Sequence, residues 1–257
     1  MHSTSVKTRL DKLLVDRGLT PSRERAQALV LAGKVLVNEQ KIEKAGASID
    51  SAATLRLLGE DLRYVSRGGL KLEKALEHWR IDLHGKICLD IGASTGGFSD
   101  CMLQHGAAKV IAVDTGYGQM DFGLRNDPRV RLLEKSNARY LKPGDVGEPI
   151  DFIAMDVSFI SATLVLPAVI RAASSGPSSG ARIVVLVKPQ FEAGRERVGK
   201  GGIVRDESAQ RAAVARVEAA LLELGCAHAE WIESPILGGE GNREFLLHAE
   251  FSPPAIG

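Results

Sequence analysis

The sequence predicts an α/β protein, a mostly parallel seven-stranded sheet with helices on both faces, preceded by a small α+β unit. Three observations carry this. Apolar runs of strand length recur near residues 86–91, 109–114, 130–134, 151–155 and 182–187, with helical periodicity between most of them, which implies a parallel sheet built from strand–helix repeats. Residues 227–233 and 244–251 add two strands, separated by the turn Gly238-Gly239-Glu240-Gly241-Asn242. Residues 60–69, polar and ending in two glycines, divide this region from a front part with a different pattern.

In the front part, residues 8–17 set Leu10, Leu13 and Leu14 on one helical face, and Gly18 stops the helix. Thr20 and Pro21 read as an N-cap and first-turn pair for a second helix, striped by Ala26, Leu29 and Val30 and ended by Gly33. Residues 35–38 and 54–58 read as strands. The expected division is a first domain over 1–60, a linker over 61–69 and a second domain over 70–257, opening with a helix from Leu70. Residues 252–257, with two prolines, read as a frayed tail.

A chain of 257 residues with 44% apolar content has room for one large core and a small appendage. Its net charge of +1 does not announce a nucleic-acid partner. The distribution is less even: residues 1–65 hold 11 Lys and Arg against 8 Asp and Glu, with many of the cations between Lys7 and Lys44. No stretch approaches the roughly 18 apolar residues of a membrane span, and the first residues lack an apolar leader, so the chain reads as cytoplasmic and without a membrane partner. Cys88, Cys101 and Cys226 are odd in number and lack C-x-x-C spacing, which argues against a disulfide framework and against a metal site.

The run Leu89-Asp90-Ile91-Gly92-Ala93-Ser94-Thr95-Gly96-Gly97-Phe98-Ser99 joins the first sheet strand to a helix through a glycine-rich turn, presenting backbone groups and a helix N-terminus to a ligand. Its glycines fall outside the G-x-G-x-x-G frame and no Gly-Lys-Ser/Thr follows, so dinucleotide and Walker readings fit badly. S-adenosylmethionine fits better. Asp90, Gly92, Ser94, Gly96 and Gly97 are the candidates for the turn, with Phe98 closing one wall. Asp114 ends the next strand, about 20 residues on, where an acidic side chain meets ribose hydroxyls. Asn137 and Ala138, after the third strand, read either as contacts to an adenine edge or as an ordinary turn.

Ligands of an open parallel sheet lie beyond the carboxyl ends of its strands. That rim collects Asp90 and Gly92, Asp114, Asn137-Ala138-Arg139, Asp156 and Lys188. Asp156 and Lys188 end two strands, and their pairing reads equally as a rim ion pair and as a catalytic pair. Between Pro189 and Asp206 a glycine-rich loop carries Arg195, Arg197, Lys200 and Arg205, a density of cations suited to gripping phosphates.

The ordered pattern Arg9-Leu10-Asp11, Gly18, Ser22-Arg23, Ala26, Gly33 and Val35-Leu36-Val37-Asn38 resembles the S4 RNA-binding module, which implies that Arg9, Lys12, Arg23, Arg25, Lys34 and Lys44 face RNA. The pattern D-x-G-A-x-x-G-G-F-S at 90–99, preceded by Ser66-Arg67-Gly68-Gly69-Leu70-Lys71-Leu72 and followed by Asp156, Lys188-Pro189 and Arg243-Glu244-Phe245, resembles the FtsJ-like ribose 2′-O-methyltransferases. That resemblance implies a class I, Rossmann-like methyltransferase fold and places a Lys-Asp-Lys-Glu tetrad on Lys71, Asp156, Lys188 and Glu244. Both halves together resemble the TlyA family, known as hemolysin A-like proteins and as ribosomal RNA methyltransferases. The implied activity is methyl transfer from S-adenosylmethionine to ribose 2′-hydroxyls of ribosomal RNA within ribosomal subunits, at cytidines.

On this reading Lys188 contacts the attacking hydroxyl, Asp156 orients Lys188, Lys71 adds positive potential, and Glu244 holds either Lys71 or the ribose. Whether Lys188 accepts the proton or stabilises the developing alkoxide stays open. Other methyl-transfer chemistries fit less well. Amino methylation calls for an Asn/Asp-Pro-Pro-aromatic run where this chain has Asp156-Val157-Ser158-Phe159, and cytosine C5 chemistry needs a rim cysteine, whereas Cys88 lies mid-strand and Cys101 in a helix. A binding-only RNA protein and a membrane-active hemolysin are the competing classes; the four-residue set speaks against the first and the lack of an amphipathic apolar segment against the second. Arg63-Tyr64-Val65-Ser66, by its position, is expected to couple RNA docking to cofactor binding.

Overall fold

Strand pairing organises both halves of the chain in the computed structural model, which describes residues 7–20, 22–58, 63–174, 180–238 and 241–251. Pro21, residues 61–62 of the expected linker, Gly239 and Glu240 of the expected turn, and the expected tail at 252–257 lie outside the described residues. The chain divides into two units, Met1–Leu62 and Arg63–Gly257.

The first unit runs β1 (Lys7–Arg9), α1 (Leu10–Asp16), α2 (Arg23–Leu31), β2 (Val35–Val37), β3 (Gln40–Lys41), β4 (Ser48–Asp50) and β5 (Leu55–Leu57). β2 is the centre of a three-stranded antiparallel sheet, with β3 and β5 as its edges, while β1 pairs with β4 in a separate ribbon. Leu10 and Leu14 of α1 meet Ala26 and Val30 of α2 and Val35 and Val37 of β2 in one small core. Two expectations are corrected. The first helix starts at Leu10, because Lys7–Arg9 are extended and paired with β4. The second helix is capped by Ser22, whose Oγ accepts the Arg25 amide at 3.2 Å, and not by Thr20, which is buried and two positions too early to cap it.

The second unit runs α3 (Gly68–His78), β6 (Ile87–Ile91), α4 (Gly97–Gln104), β7 (Lys109–Val113), α5 (Phe122–Arg125), β8 (Val130–Leu133), a 3-10 turn at Ala138–Tyr140, α6 (Pro143–Val146), β9 (Phe152–Met155), α7 (Ala162–Ala173), β10 (Ala181–Val187), α8 (Pro189–Glu192), α9 (Glu207–Glu223), β11 (Cys226–Glu233) and β12 (Phe245–Phe251). The sheet order is β11-β12-β10-β9-β6-β7-β8. β12 runs against both of its neighbours, and the pairs from β10 to β8 are parallel. The chain order therefore reverses between β6 and β9, where an open α/β sheet leaves a crevice at its carboxyl edge.

Alternation along β6 serves two cores. Leu89 and Ile91 join the layer of α6, α7 and α9, and Cys88 joins the layer of α3 and α4. Asp90 shares the Cys88 side, fully buried, and its Oδ2 accepts the Ser99 hydroxyl of α4 at 2.6 Å. The expected loop between Pro189 and Asp206 contains local helix instead: α8 and a 3-10 turn at Arg195–Arg197, since Pro189 sets the first-turn φ and Gly194, at φ +85°, ends the turn that follows α8.

Candidate active site

The glycine-rich turn owes its shape to close neighbours as much as to any ligand. A Cβ on Gly92 (φ +85°) would collide with the Asp156 carbonyl, so the end of β6 touches the end of β9 only because this residue is glycine. Gly96 (φ +96°) starts α4 and packs on Leu124 and Met120, while Gly97 packs on Ser66 ahead of α3. The Ser94 amide donates to Asp114 Oδ2 at 2.7 Å and the Gly116 amide to Oδ1 at 2.6 Å, which fixes the Asp114 carboxylate at the end of β7.

Two adjoining clefts open over this edge. One of about 310 Å³ is lined by Gly92, Ser94, Asp114, Asn137, Ala138 and Asp156, together with Gln119, Ser158 and Phe159. A second, of about 250 Å³, is lined by Ser66, Arg67, Gly68, Lys71, Gly97 and Phe98, and shares Gly92, Ser94 and Asp156 with the first. The candidate cofactor residues are thus brought together, except Asp90 and Gly96, which line neither cleft and act beneath the turn.

Lys188 itself lines neither cleft, but its Nζ lies 2.5 Å from Asp156 Oδ1, in the shared wall, and donates to Ser158 Oγ of the first cleft at 2.7 Å. Lys71, in the first turn of α3, is bonded to Glu244, just before β12; the lysine side chain is 10% exposed and the glutamate 3%. Of the two partners left open for Glu244, the structure gives it Lys71. Each lysine has its own carboxylate, so four charges enter a largely buried site in balanced pairs, the arrangement that limits their desolvation cost. Burial pushes the Cys101 thiol up to about 12 and the Cys226 thiol up to about 11, and Cys88 is fully buried, so no thiolate serves this edge. No group of three potential metal ligands occurs among the described residues, and no helix among them is long and apolar enough to cross a membrane.

In the first unit, Asp11 is fully buried and accepts Arg9 Nε at 3.0 Å and Nη2 at 2.8 Å, Arg23 Nη2 at 3.1 Å, Gln27 Nε2 at 2.9 Å and the Lys12 amide at 2.8 Å. The Arg9 bonds, above all, hold its carboxyl well below the usual carboxylate range. Arg9 and Arg23 are therefore fixed cations with half of each side chain exposed. Lys12, Lys34 and Lys44 are exposed and Arg25 is half-buried. In the second unit, Arg197 and Lys200 are exposed, and Arg195 opens the 3-10 turn. The segment Arg63-Tyr64-Val65-Ser66 is bound to the second unit. Tyr64 is buried with its hydroxyl donating to Glu73 at 2.9 Å, and the Val65 amide donates to Asp100 at 2.8 Å.

Several lining residues escape the sequence pattern. Gln119 carries no spacing signal, and Arg67, though inside the pattern at 66–72, is assigned no role by it. Phe159 stands 92% exposed at φ +65°, its ring 5.4 Å from that of Phe191. A bulky side chain in left-handed backbone is a strained feature of the kind that collects at functional sites.

Comparison with known proteins agrees with both halves. Residues 64–251 match the FtsJ-like methyltransferase model and residues 8–52 the S4 domain model. YqxC of Bacillus subtilis, provisionally named an rRNA methyltransferase, is 49% identical over 95% of this chain and 86% of its own. The 16S/23S rRNA (cytidine-2′-O)-methyltransferase TlyA of Mycobacterium tuberculosis is 44% identical over 94% of this chain and 89% of its own. A solved structure from Streptococcus thermophilus, provisionally described as a hemolysin, is 46% identical, with a TM-score of 0.72 over 98% of this chain and 91% of that one.

Proposed function

The chain belongs to the FtsJ-like methyltransferase family, in its TlyA group, and from that premise we propose that it methylates ribose 2′-hydroxyls of ribosomal RNA, at cytidine, with S-adenosylmethionine as donor. The observation that carries the reading is the pairing of Lys188 with Asp156, the carboxylate that lines both clefts.

The residues present fit the donor. Asp114, oriented by the Ser94 and Gly116 amides, suits ribose hydroxyls; Asn137 and Ala138 suit the adenine edge; and the turn at Gly92 and Ser94 offers backbone to the methionine part. S-adenosylmethionine supplies a methyl group already activated on a sulfonium, so the protein's task is to align a hydroxyl and manage its proton. Lys188, held by Asp156 and Ser158, contacts the attacking 2′-oxygen and stabilises the charge that develops there. Lys71, paired with Glu244, adds positive potential from the second cleft. Ribosomal RNA is held through its phosphates, by Arg9, Arg23, Lys12, Lys34 and Lys44 of the S4 unit and by Arg197 and Lys200 of the second unit. That substrate sets the action in the cytoplasm.

The test is incubation with labelled S-adenosylmethionine and separated ribosomal subunits, followed by mapping of the methylated nucleotide. Label on a cytidine ribose is expected; no label on any ribosomal RNA leaves an RNA-binding protein in its place.

A further inference from the structure

We propose that Glu192 is a positioning residue for methyl transfer, which clamps the segment leaving β9 to the segment leaving β10 and so sets Lys188 against Asp156. The proposal rests on the methyltransferase reading.

Glu192 ends α8 and is 3% exposed. Its Oε1 accepts the Ala162 amide at 2.7 Å and its Oε2 the Ser161 hydroxyl at 2.5 Å. Ser161 is the N-cap of α7, and its Oγ also accepts the Thr163 amide at 3.3 Å. A buried carboxylate thus closes the positive end of a twelve-residue helix, and the orphan amide there offsets part of the cost of burying it. Burial still pushes the Glu192 carboxyl upward, with the Ser161 and Ala162 bonds opposing. Arg216 of α9 donates to the Glu192 carbonyl at 2.9 Å and holds the backbone from the other side.

The clamp closes a series of contacts between the two segments, taken in chain order. Asp156 meets Lys188, Ser158 meets Lys188, the Phe159 ring lies tilted against that of Phe191, and Ser161 with Ala162 meets Glu192. The first two contacts hold the reacting end and the last is the buried anchor. Between them lies Phe159 in left-handed backbone, a strained conformation for such a residue that persists only when its surroundings over-determine it. Glu192 supplies that constraint from outside the clefts, since it lines neither. A rim shifted by about 1 Å costs methyl transfer roughly a hundredfold, while the donor's candidate contacts Asp114, Asn137 and Ala138 follow β7 and β8 and are not on the two clamped segments.

The test compares the full-length protein with E192D and E192Q. Aspartate keeps the charge but is one methylene too short to reach both Ser161 and Ala162; glutamine keeps the length, with its oxygen for the Ala162 amide and its NH2 for Ser161 Oγ. Three quantities are read: kcat on ribosomal RNA, the Kd for S-adenosylmethionine and the melting temperature. Wild-type protein that methylates no ribosomal RNA refutes the functional reading itself, before any variant is compared. Given wild-type turnover, kcat should fall about 10–100-fold in E192D at an unchanged Kd and recover most of its value in E192Q. Wild-type kcat in E192D, a loss that tracks weaker S-adenosylmethionine binding or a lowered melting temperature, or an equal loss in E192Q overturns the proposal.

Discussion

Lys188 reaches Asp156 across neighbouring strand ends, Nζ to Oδ1 at 2.5 Å, and Asp156 lines both clefts. Of this pair, the lysine is the partner that can meet an attacking hydroxyl with positive charge. Lys188→Ala is expected to lower kcat by at least about a hundredfold, the scale of removing a proton-transfer group or an oxyanion donor, while Kd for S-adenosylmethionine changes little. Full methyl transfer by Lys188→Ala removes this role.

Lys71 and Glu244 make a second pair, more deeply buried than the first. Truncating one partner leaves the other as an uncompensated buried charge, so Lys71→Met should destabilise the second unit by about 3–5 kcal/mol. Adding Glu244→Leu should restore much of that stability, because an apolar pair replaces an ionic one. Activity should stay low in both variants. Urea unfolding followed beside methyl transfer separates the two effects, and an active double variant would assign the pair to structure alone.

These two pairs also mark what was legible in the sequence. Asp114, Asp156 and Lys188 follow apolar runs, and the carboxyl-edge rule collects them without further information. Lys71 and Glu244 lie 173 positions apart, and no local period links them; only the family pattern did. Gly96 and Asp90 read as ligand contacts because motif position does not distinguish a lining residue from one that packs beneath the lining. Thr20 displaced Ser22 as the expected cap for want of helix geometry, and β1, β3 and β4 are too short to carry a period. Glu192 was invisible because tertiary packing sets its partners, and of Asp11, present in the S4 pattern, the bonds from Arg23 and Gln27, 12 and 16 positions on, were invisible for the same reason.

The Asp11 network bears on RNA binding. Arg23→Ala removes one of the donors to Asp11 and leaves the bidentate Arg9 pair, so the fold should survive. Combined with Lys34→Ala it should weaken ribosomal RNA binding and flatten the plot of log K against log salt by about one unit for each phosphate no longer neutralised. An unchanged slope, measured by filter binding across a salt series, would reduce these cations to solvation of a small helical unit.

Asp90 gives the second unit a pH dependence with a definite sign. Full burial lifts its carboxyl from 3.8 to about 7, against the opposing bond from Ser99. The native state therefore prefers the protonated form, and the unfolded chain does not. Its contribution is complete below about pH 4, declines as pH rises from about 4 to 7, and is gone above. Asp90→Asn keeps an acceptor for Ser99 without an ionisable group, so it should flatten this decline and make the protein more stable than wild type at pH 8. The gain has an upper limit of about 4 kcal/mol, set by the size of the shift. Urea unfolding at pH 5, 6, 7 and 8 measures it, and parallel curves for the two proteins would mean that Asp90 is ionised in the fold and that its unpartnered Oδ1 meets water.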